Sequence, residues 1–185
     1  MVSRKYTNKR EERERTAMKR YSKDRQRNVM AKPGAHKFIV VLDNLQPGFN
    51  VPKIFRSAEA FGASEIHLIN VSPFDPAPAK GAFRKVPAKF HEDVTSCFTQ
   101  LKQQGYQLFT LEASKGEQLY NVKLPEKSAF ILGNEDSGIS FNASDYPEIQ
   151  CLSIPHFGVT ESLNVSIAAS IVMYEYISQQ AKAAG

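Results

Sequence analysis

Three segments of the chain carry polar side chains whose types and spacing could form a polar binding or catalytic site. The first holds Asn50 and, six residues later, Arg56. The second holds Glu135 just after an apolar run, and the third holds Ser162 and Asn164 just after a loop. Free backbone N–H groups and short polar side chains at a helix start, as in the third segment, make a polar site. The three segments are therefore the candidate site.

Each segment also has a purely structural explanation. By spacing alone, Arg56 is an ordinary surface arginine. Glu135 and Asp136 suit a glycine-rich turn whose acidic residues cap the next short helix, and as sequence neighbours they do not face each other as an acid–base pair would. Ser162 suits the cap of the helix that follows it. His156 has no second histidine or cysteine at ligand spacing, so no metal site is expected.

Apolar runs and helical periodicities place these segments in a regular alternation of elements. Five runs predict buried strands, at 38–42, 65–69, 107–111, 129–132 and 151–154. Three periodic stretches predict helices, at 51–61, 92–104 and 162–179. This alternation indicates an α/β fold with a parallel sheet. Ligands bind beyond the carboxyl ends of such strands, which directs attention to 43–50, 111–117, 133–140 and 155–164.

The positive charge of the chain is concentrated at its N-terminus. Residues 1–35 hold 12 lysines and arginines against 4 acidic residues, a balance of +8, whereas residues 36–185 carry −3. A helix is predicted from Thr7, its cap, to about residue 30. It has few apolar residues, so we expect it to pack weakly and to become ordered on RNA or on a partner subunit. Residues 32–34, Lys-Pro-Gly, predict a hinge between this extension (1–35) and the main domain (36–185).

Composition narrows the class of protein further. A basic segment suits the phosphate backbone of a nucleic acid, although a solvated charged tail has the same composition. No apolar run is long enough for a membrane span, and no secretory signal is expected. Cys97 and Cys151 are far apart and outside metal-binding spacings, so both are expected to be reduced and buried. These features predict a cytoplasmic protein.

Together and in this order, the three segments resemble the motifs of the SpoU (TrmH-like) family of SPOUT RNA 2′-O-ribose methyltransferases. The first motif is matched by Asn50, Arg56, Ser57, Ala58, Phe61 and Gly62. The second is matched by Leu132, Gly133, Glu135, Gly138 and Ile139. The third, which is the most specific, is matched by Ile154, Pro155, Gly158, Ser162 to Ser166 and Ala168. The resemblance covers about residues 38–178, and Pro52 stands where the family often has glycine or serine.

The resemblance implies a mostly parallel sheet flanked by helices, with a deep trefoil knot formed by the segments of the second and third motifs. The knot would hold the methyl donor, S-adenosylmethionine. The residues implied for cofactor binding are Leu111, Gly133, Asn134, Ile154, Ser162 and Leu163. The resemblance also implies a homodimer in which the second subunit completes the site and the C-terminal helix takes part in the interface. No metal is implied.

The implied reaction is an in-line displacement in which a ribose 2′-oxygen of transfer or ribosomal RNA attacks the methyl carbon. Arg56 is assigned to hydroxyl activation, but a guanidinium stays protonated, so stabilising the alkoxide or holding a phosphate is the easier role. Asn50, Ser162 and Asn164 would complete the polar site. Glu135 is expected either to hold the knot loops by hydrogen bonds or to act as a base.

Three alternatives stay open at this point. The first alternative is a SPOUT methyltransferase that acts on a base. The second is an RNA-binding SPOUT-like protein without catalysis, and the third is a nucleotide-binding α/β protein with no role in RNA. Detection of a methylated base would favour the first. RNA binding without cofactor binding would favour the second, and the absence of salt-sensitive RNA binding the third.

Overall fold

Seven strands form one parallel sheet in a computed structural model that describes residues 3–113 and 115–184. The strands are β1 (Phe38–Asp43), β2 (Glu65–Ile69), β3 (Ala88–His91), β4 (Gln107–Leu111), β5 (Glu117–Gln118), β6 (Ser128–Leu132) and β7 (Gln150–Ser153). Their order across the sheet is β3-β2-β1-β6-β4-β7-β5, and every pair is parallel. The predicted α/β class is confirmed, and the knot stays a prediction.

Four helices lie around the sheet within residues 3–113 and 115–184. They are α1 (Ser3–Asn28), α2 (Asn50–Ala60), α3 (Val94–Gln103) and α4 (Val165–Ala184). Short 3-10 turns lie at Ala77–Ala79, Ala82–Arg84, Leu119–Asn121 and Ala143–Asp145. Among the described residues, no helix is both long enough and apolar enough to cross a membrane.

The core lies on both faces of the sheet because side chains alternate along each strand. In β1, Phe38, Val40 and Leu42 point into the larger cluster, which includes residues of α2 and α4. Ile39 and Val41 point into the smaller cluster beside α3. Strands buried on both faces consist of continuous apolar runs, which is why β1 and β6 were predictable from the sequence.

The two edge strands were not predicted. The side chains of β3 are partly or fully exposed, and β5 has only two residues, so neither contains an apolar run. Helix α4 begins three residues later than the predicted position 162. Asn164 Oδ1 accepts hydrogen bonds from the amide and hydroxyl of Ser166, at 2.9 and 2.6 Å. Asn164 therefore caps α4, so the structural alternative for Ser162, a cap of this helix, does not hold.

The basic N-terminal segment is a helix whose second half packs on the main domain. The ring of Tyr21 is buried, with its centroid 5.3 Å from that of Phe74 and 5.7 Å from that of Phe83. The buried Asn28 Nδ2 donates to the carbonyl oxygens of Phe83 and Val86, at 2.5 and 2.7 Å. The prediction of weak packing is wrong for this half, because two anchors one heptad apart replace an apolar stripe.

The N-terminal boundary and the predicted hinge also differ from expectation. Helix α1 begins at Ser3, so Thr7 lies inside it and does not cap it. The amide of Gly34 donates to Ala63 O at 3.0 Å, and a Cβ at residue 34 would lie 2.4 Å from Gly62 O. Residues 32–34 are thus joined to the turn after α2, because only glycine permits this close approach of two backbones.

The two cysteines form no disulfide, as expected. Cys97 is fully buried in α3, and burial raises the pKa of its thiol to about 12. Cys151 on β7 is only half-buried, so the prediction that both are buried holds for Cys97 alone.

Candidate active site

A cavity of about 530 Å³ opens at the carboxyl ends of β4, β6 and β7. These strands are neighbours in the sheet, so the loops that follow them meet at one edge. The loops form most of the wall, and the start of α4 completes it. A concave space of this size suits a drug-sized or cofactor-sized molecule.

All six residues predicted to bind a cofactor lie in the wall of this cavity. They come from the ends or loops of three strands: Leu111, Gly133, Asn134, Ile154, Ser162 and Leu163. Apolar side chains alternate with backbone and short polar groups, which is the composition usual for small-molecule sites. Their contacts with a cofactor stay a prediction, although the fold brings them together from positions up to about fifty residues apart in the sequence.

The five predicted catalytic residues are distributed less evenly. Glu135, Ser162 and Asn164 line the cavity. Asn50, the first residue of α2, is not in the wall but is hydrogen-bonded to two of the residues that are. Arg56 is exposed and lies outside the wall.

A chain of hydrogen bonds connects the three motifs. Asn50 Nδ2 donates to Glu135 Oε1 at 2.8 Å, and Asn50 Oδ1 accepts from Asn164 Nδ2 at 3.2 Å. Glu135 Oε2 also accepts from the amide of Gln46, at 3.3 Å. Helix α2 has no side-chain cap, and the side-chain amide of Asn50 joins two loops. The contacts of Glu135 are those of a residue that holds loops.

The loop after β6 is built around Asn134. Its backbone exchanges two hydrogen bonds with Gly138, at 2.8 and 2.9 Å. Its side chain donates to Asn44 O at 2.7 Å and accepts from the amides of Asp136 and Ser137. The side chain and the backbone of Asn134 are thus both bonded within the loop, so this residue holds the shape of the cavity wall.

Gly133 lies against the returning chain of its own loop. A Cβ at this residue would lie 2.4 Å from Gly138 C and 2.5 Å from Ile139 N. The space is filled by the returning chain, so the glycine is required for the loop to close on itself.

Arg56 is exposed on α2, and the same helix packs against α4. The hydroxyl of the next residue, Ser57, is 2.9 Å from that of Ser170 on α4. A helix rises 1.5 Å per residue, so Arg56 stands roughly 9 Å along the axis from Asn50. Within one chain, Arg56 is thus an exposed residue of α2 that does not line the cavity.

Several residues at this edge were not predicted as site residues. Glu112 and His156 line the cavity, and Gln46 Nε2 donates to Asp136 Oδ2 at 2.7 Å. The buried carboxylate of Asp43 accepts from the amide and hydroxyl of Ser140, at 2.6 and 2.7 Å. Asp43 could have been noticed in the sequence because it is an acidic residue at the end of a continuous apolar strand. A charge buried there requires hydrogen-bond donors such as those of Ser140.

Similar proteins were found by sequence and by structure. A tRNA (guanosine(18)-2′-O)-methyltransferase of Thermus thermophilus is 28% identical over 148 residues, which are 78% of this chain and 76% of that protein. A 23S rRNA (guanosine-2′-O-)-methyltransferase RlmB of Neisseria meningitidis is 28% identical over 146 residues, or 74% of this chain. The chain spans only 56% of the length of that second relative.

A solved structure shares the fold. The SpoU methyltransferase AviRb of Streptomyces viridochromogenes, in complex with the cofactor AdoMet, superposes with a TM-score of 0.70 at 24% identity. The match covers 80% of this chain and 60% of that one. The model of the SpoU rRNA Methylase family matches residues 37–174, which include all three motifs and the whole sheet. The chain therefore belongs to the SpoU rRNA Methylase family.

Proposed function

We propose that this protein transfers a methyl group from S-adenosylmethionine to a ribose 2′-hydroxyl of structured RNA. The observation that carries the proposal is the cavity at the ends of β4, β6 and β7, where the second and third motifs form one wall. The Thermus and Neisseria relatives are both named as 2′-O-methyltransferases of RNA guanosines, which supports the same chemistry here.

The cavity suits S-adenosylmethionine in size and chemistry. Leu111, Ile154 and Leu163 offer apolar contacts to an adenine ring, and exposed backbone groups of the loops offer hydrogen bonds to its edge. The bound cofactor supplies an electrophilic methyl group on a sulfonium. Residues of the chain then need only hold the RNA hydroxyl in line with that methyl group and exclude water.

The polar residues around Asn50 would orient the hydroxyl. Ser162 lies in the loop before α4, and Asn164 caps this helix. The hydrogen bonds of Asn50 with Glu135 and Asn164 hold the loops around the site in place. A cation is still needed where the 2′-oxygen becomes negative. Arg56 would provide it by stabilising that charge or the neighbouring phosphate, since a guanidinium does not act as a base near neutral pH.

A homodimer would place Arg56 at a cavity. Helix α4 carries two large apolar side chains that are open to solvent, with Ile167 51% and Tyr174 63% exposed. They are two helical turns apart, and the ring of Tyr174 lies 6.3 Å from that of Phe61 at the end of α2. Pairing of two copies through this surface, which we call the α2/α4 face, would bring the Arg56 of one copy to the cavity of the other.

The α1 helix would form an RNA-binding arm ahead of the catalytic domain, with 1–35 and 36–185 as separate functional units. Arg15, Lys19 and Lys23 are exposed on the side of α1 that does not dock. Their spacing gives a line of positive charge that suits a phosphate backbone. RNA as substrate agrees with the cytoplasmic location expected from the sequence.

The test is methyl transfer from labelled S-adenosylmethionine to total cellular RNA, followed by nucleoside digestion and mass spectrometry. We expect a labelled 2′-O-methylnucleoside. A labelled base would assign the protein to the base-methylating class. Retention of RNA and cofactor without any transfer, across transfer and ribosomal RNA pools, would identify a binding protein without catalysis.

A further inference from the structure

Three metal-ligating side chains meet far from the cavity, at the β3 edge of the sheet. His67 lies on β2, His91 ends β3, and Cys97 lies in the first turn of α3. His67 Nδ1 is 2.9 Å from His91 Nε2 and 3.5 Å from Cys97 Sγ, and the three ligand atoms all lie within 4.8 Å of one another. None of the three lines the cavity.

Rigid elements hold each of these side chains. His91 pairs with Ile69, two residues beyond His67 on the adjacent strand, so the two imidazole rings stack with centroids 4.9 Å apart. Asp93 accepts the amide of Ser96 at 2.7 Å and fixes the start of α3 one turn before Cys97. His67 and Cys97 are fully buried and His91 is half-buried, so the cluster is reached from solvent on one side.

Glu65 directs the lone pair of His67 toward the cluster. Glu65 Oε2 lies 3.0 Å from His67 Nε2, and this carboxylate is itself largely buried on the same face of β2. A carboxylate beside one ring nitrogen holds the proton there, so the other nitrogen, Nδ1, offers its lone pair. The same carboxylate–histidine arrangement supports histidine ligands in metal proteins.

Two of the three distances between ligand atoms approach those of a tetrahedral zinc site, and the third is within 4.8 Å. Zinc bonds of about 2.0–2.1 Å to nitrogen and 2.3 Å to sulfur put two nitrogens roughly 3.3 Å apart, and nitrogen and sulfur roughly 3.6 Å apart. The observed 2.9 and 3.5 Å differ from these values by a few tenths of an ångström. Two imidazoles and a thiol favour zinc over magnesium or calcium, which prefer oxygen.

We propose that His67, His91 and Cys97 bind one zinc ion, with solvent as the fourth ligand. The ion would join β2, the edge strand β3 and α3, and so stabilise the side of the sheet opposite the cavity. The thiol proton would leave to solvent as the sulfur binds, since a coordinating thiol is deprotonated by the metal. The cluster was not recognisable in the sequence, because its ligands are 24 and 6 residues apart and do not form a usual metal-binding motif.

The test uses the full chain, treated with a chelator and then titrated with Co²⁺ as a spectroscopic probe. We expect one equivalent to bind with a sulfur-to-cobalt charge-transfer band, and Zn²⁺ to displace it. Cys97→Ser should lose the band, whereas the matched control Cys151→Ser, which changes the other cysteine, should keep it. Glu65→Gln should weaken Zn²⁺ binding by about 10- to 100-fold, as expected for a residue behind a ligand.

Two results would contradict the proposed zinc site. One is a wild-type protein without the band, which would identify the cluster as a hydrogen-bonded group only. The other is a band that survives in Cys97→Ser and disappears in Cys151→Ser. Thermal unfolding with and without Zn²⁺ shows whether each variant folds. If Cys97→Ser does not fold, His91→Gln at the half-buried position replaces it, and an unchanged band there would equally exclude the proposal.

Discussion

Asn50 and Glu135 are 85 residues apart in the chain, yet the amide of one donates to the carboxylate of the other at 2.8 Å. This bond joins the start of α2 to the loop after β6. Asn50 Oδ1 also accepts a hydrogen bond from Nδ2 of Asn164, the cap of α4, at 3.2 Å. Hydrogen bonds therefore connect the three motifs, and Asn50 makes both of the bonds that join them.

Glu135→Ala should reduce methyl transfer roughly a hundredfold, because displaced loops would misplace the reacting groups by about an ångström. The matched control is Asp136→Ala, which removes the adjacent carboxylate and its bond to the Gln46 side chain. We expect the control to keep most of its activity. Single-turnover assays with saturating cofactor provide the measurement, and equal losses in both variants would contradict a specific role for Glu135.

Arg56→Ala should leave cofactor affinity near normal and lower the rate of transfer by about 10²–10³, the usual effect of losing a group that stabilises developing charge. Lys53→Ala is the control, because it removes an exposed cation one turn earlier on α2. Calorimetry measures cofactor binding, and the transfer assay measures the rate. An active Arg56→Ala protein would remove this residue from the mechanism.

Ile167→Glu should convert a dimer to a monomer and abolish transfer, because a charge would be buried in the proposed interface between α2/α4 faces. Val29→Glu changes a side chain that is similarly apolar and 83% exposed elsewhere, and should leave the assembly unchanged. Light scattering coupled to size-exclusion chromatography measures the mass. A monomeric wild-type protein with full activity would refute the interface.

Replacing Arg15, Lys19 and Lys23 together by glutamine should weaken RNA binding and flatten its salt dependence. Each lost phosphate contact lowers the slope of log K against log salt by about 0.7–0.9. Cofactor affinity should not change. The control replaces Lys123 and Lys182 by glutamine, because both lysines are exposed and lie outside α1. This control should keep the wild-type salt dependence.

Filter binding at several salt concentrations gives the slope for each RNA-binding variant. Deleting residues 1–32 should weaken RNA binding in the same direction. This deletion would also uncover Phe74 and Phe83, so the point substitutions are the cleaner test. The RNA-arm interpretation would fail if the triple variant kept the wild-type slope.

Tyr21→Ala should destabilise the protein by about 3 kcal/mol, since it empties an aromatic site between two phenylalanines. Met18→Ala, on the same helix but 49% exposed, should change stability by less than about 0.5 kcal/mol. Urea unfolding followed by circular dichroism measures both. A small effect at Tyr21 would indicate that α1 is held by its polar contacts alone.

The sequence by itself determined the class of fold, the five inner strands and the three motifs. Central parallel strands are buried on both faces, so β1 and β6 appear as unbroken apolar runs. Motif residues such as Asn50 and Asn164 were recognisable because their order and spacing match a known family. The edge strands β3 and β5 escaped prediction because their exposed side chains carry no such run.

Only the tertiary structure decided which of these residues meet. Strand order placed β4 between β6 and β7, and so gathered three separate loops around one cavity. The register of β2 and β3 brought His67 to His91, and docking of α1 through Tyr21 and Asn28 depended on a partner surface that periodicity does not reveal. Local patterns report the environment of one element, whereas such contacts depend on long-range packing between elements.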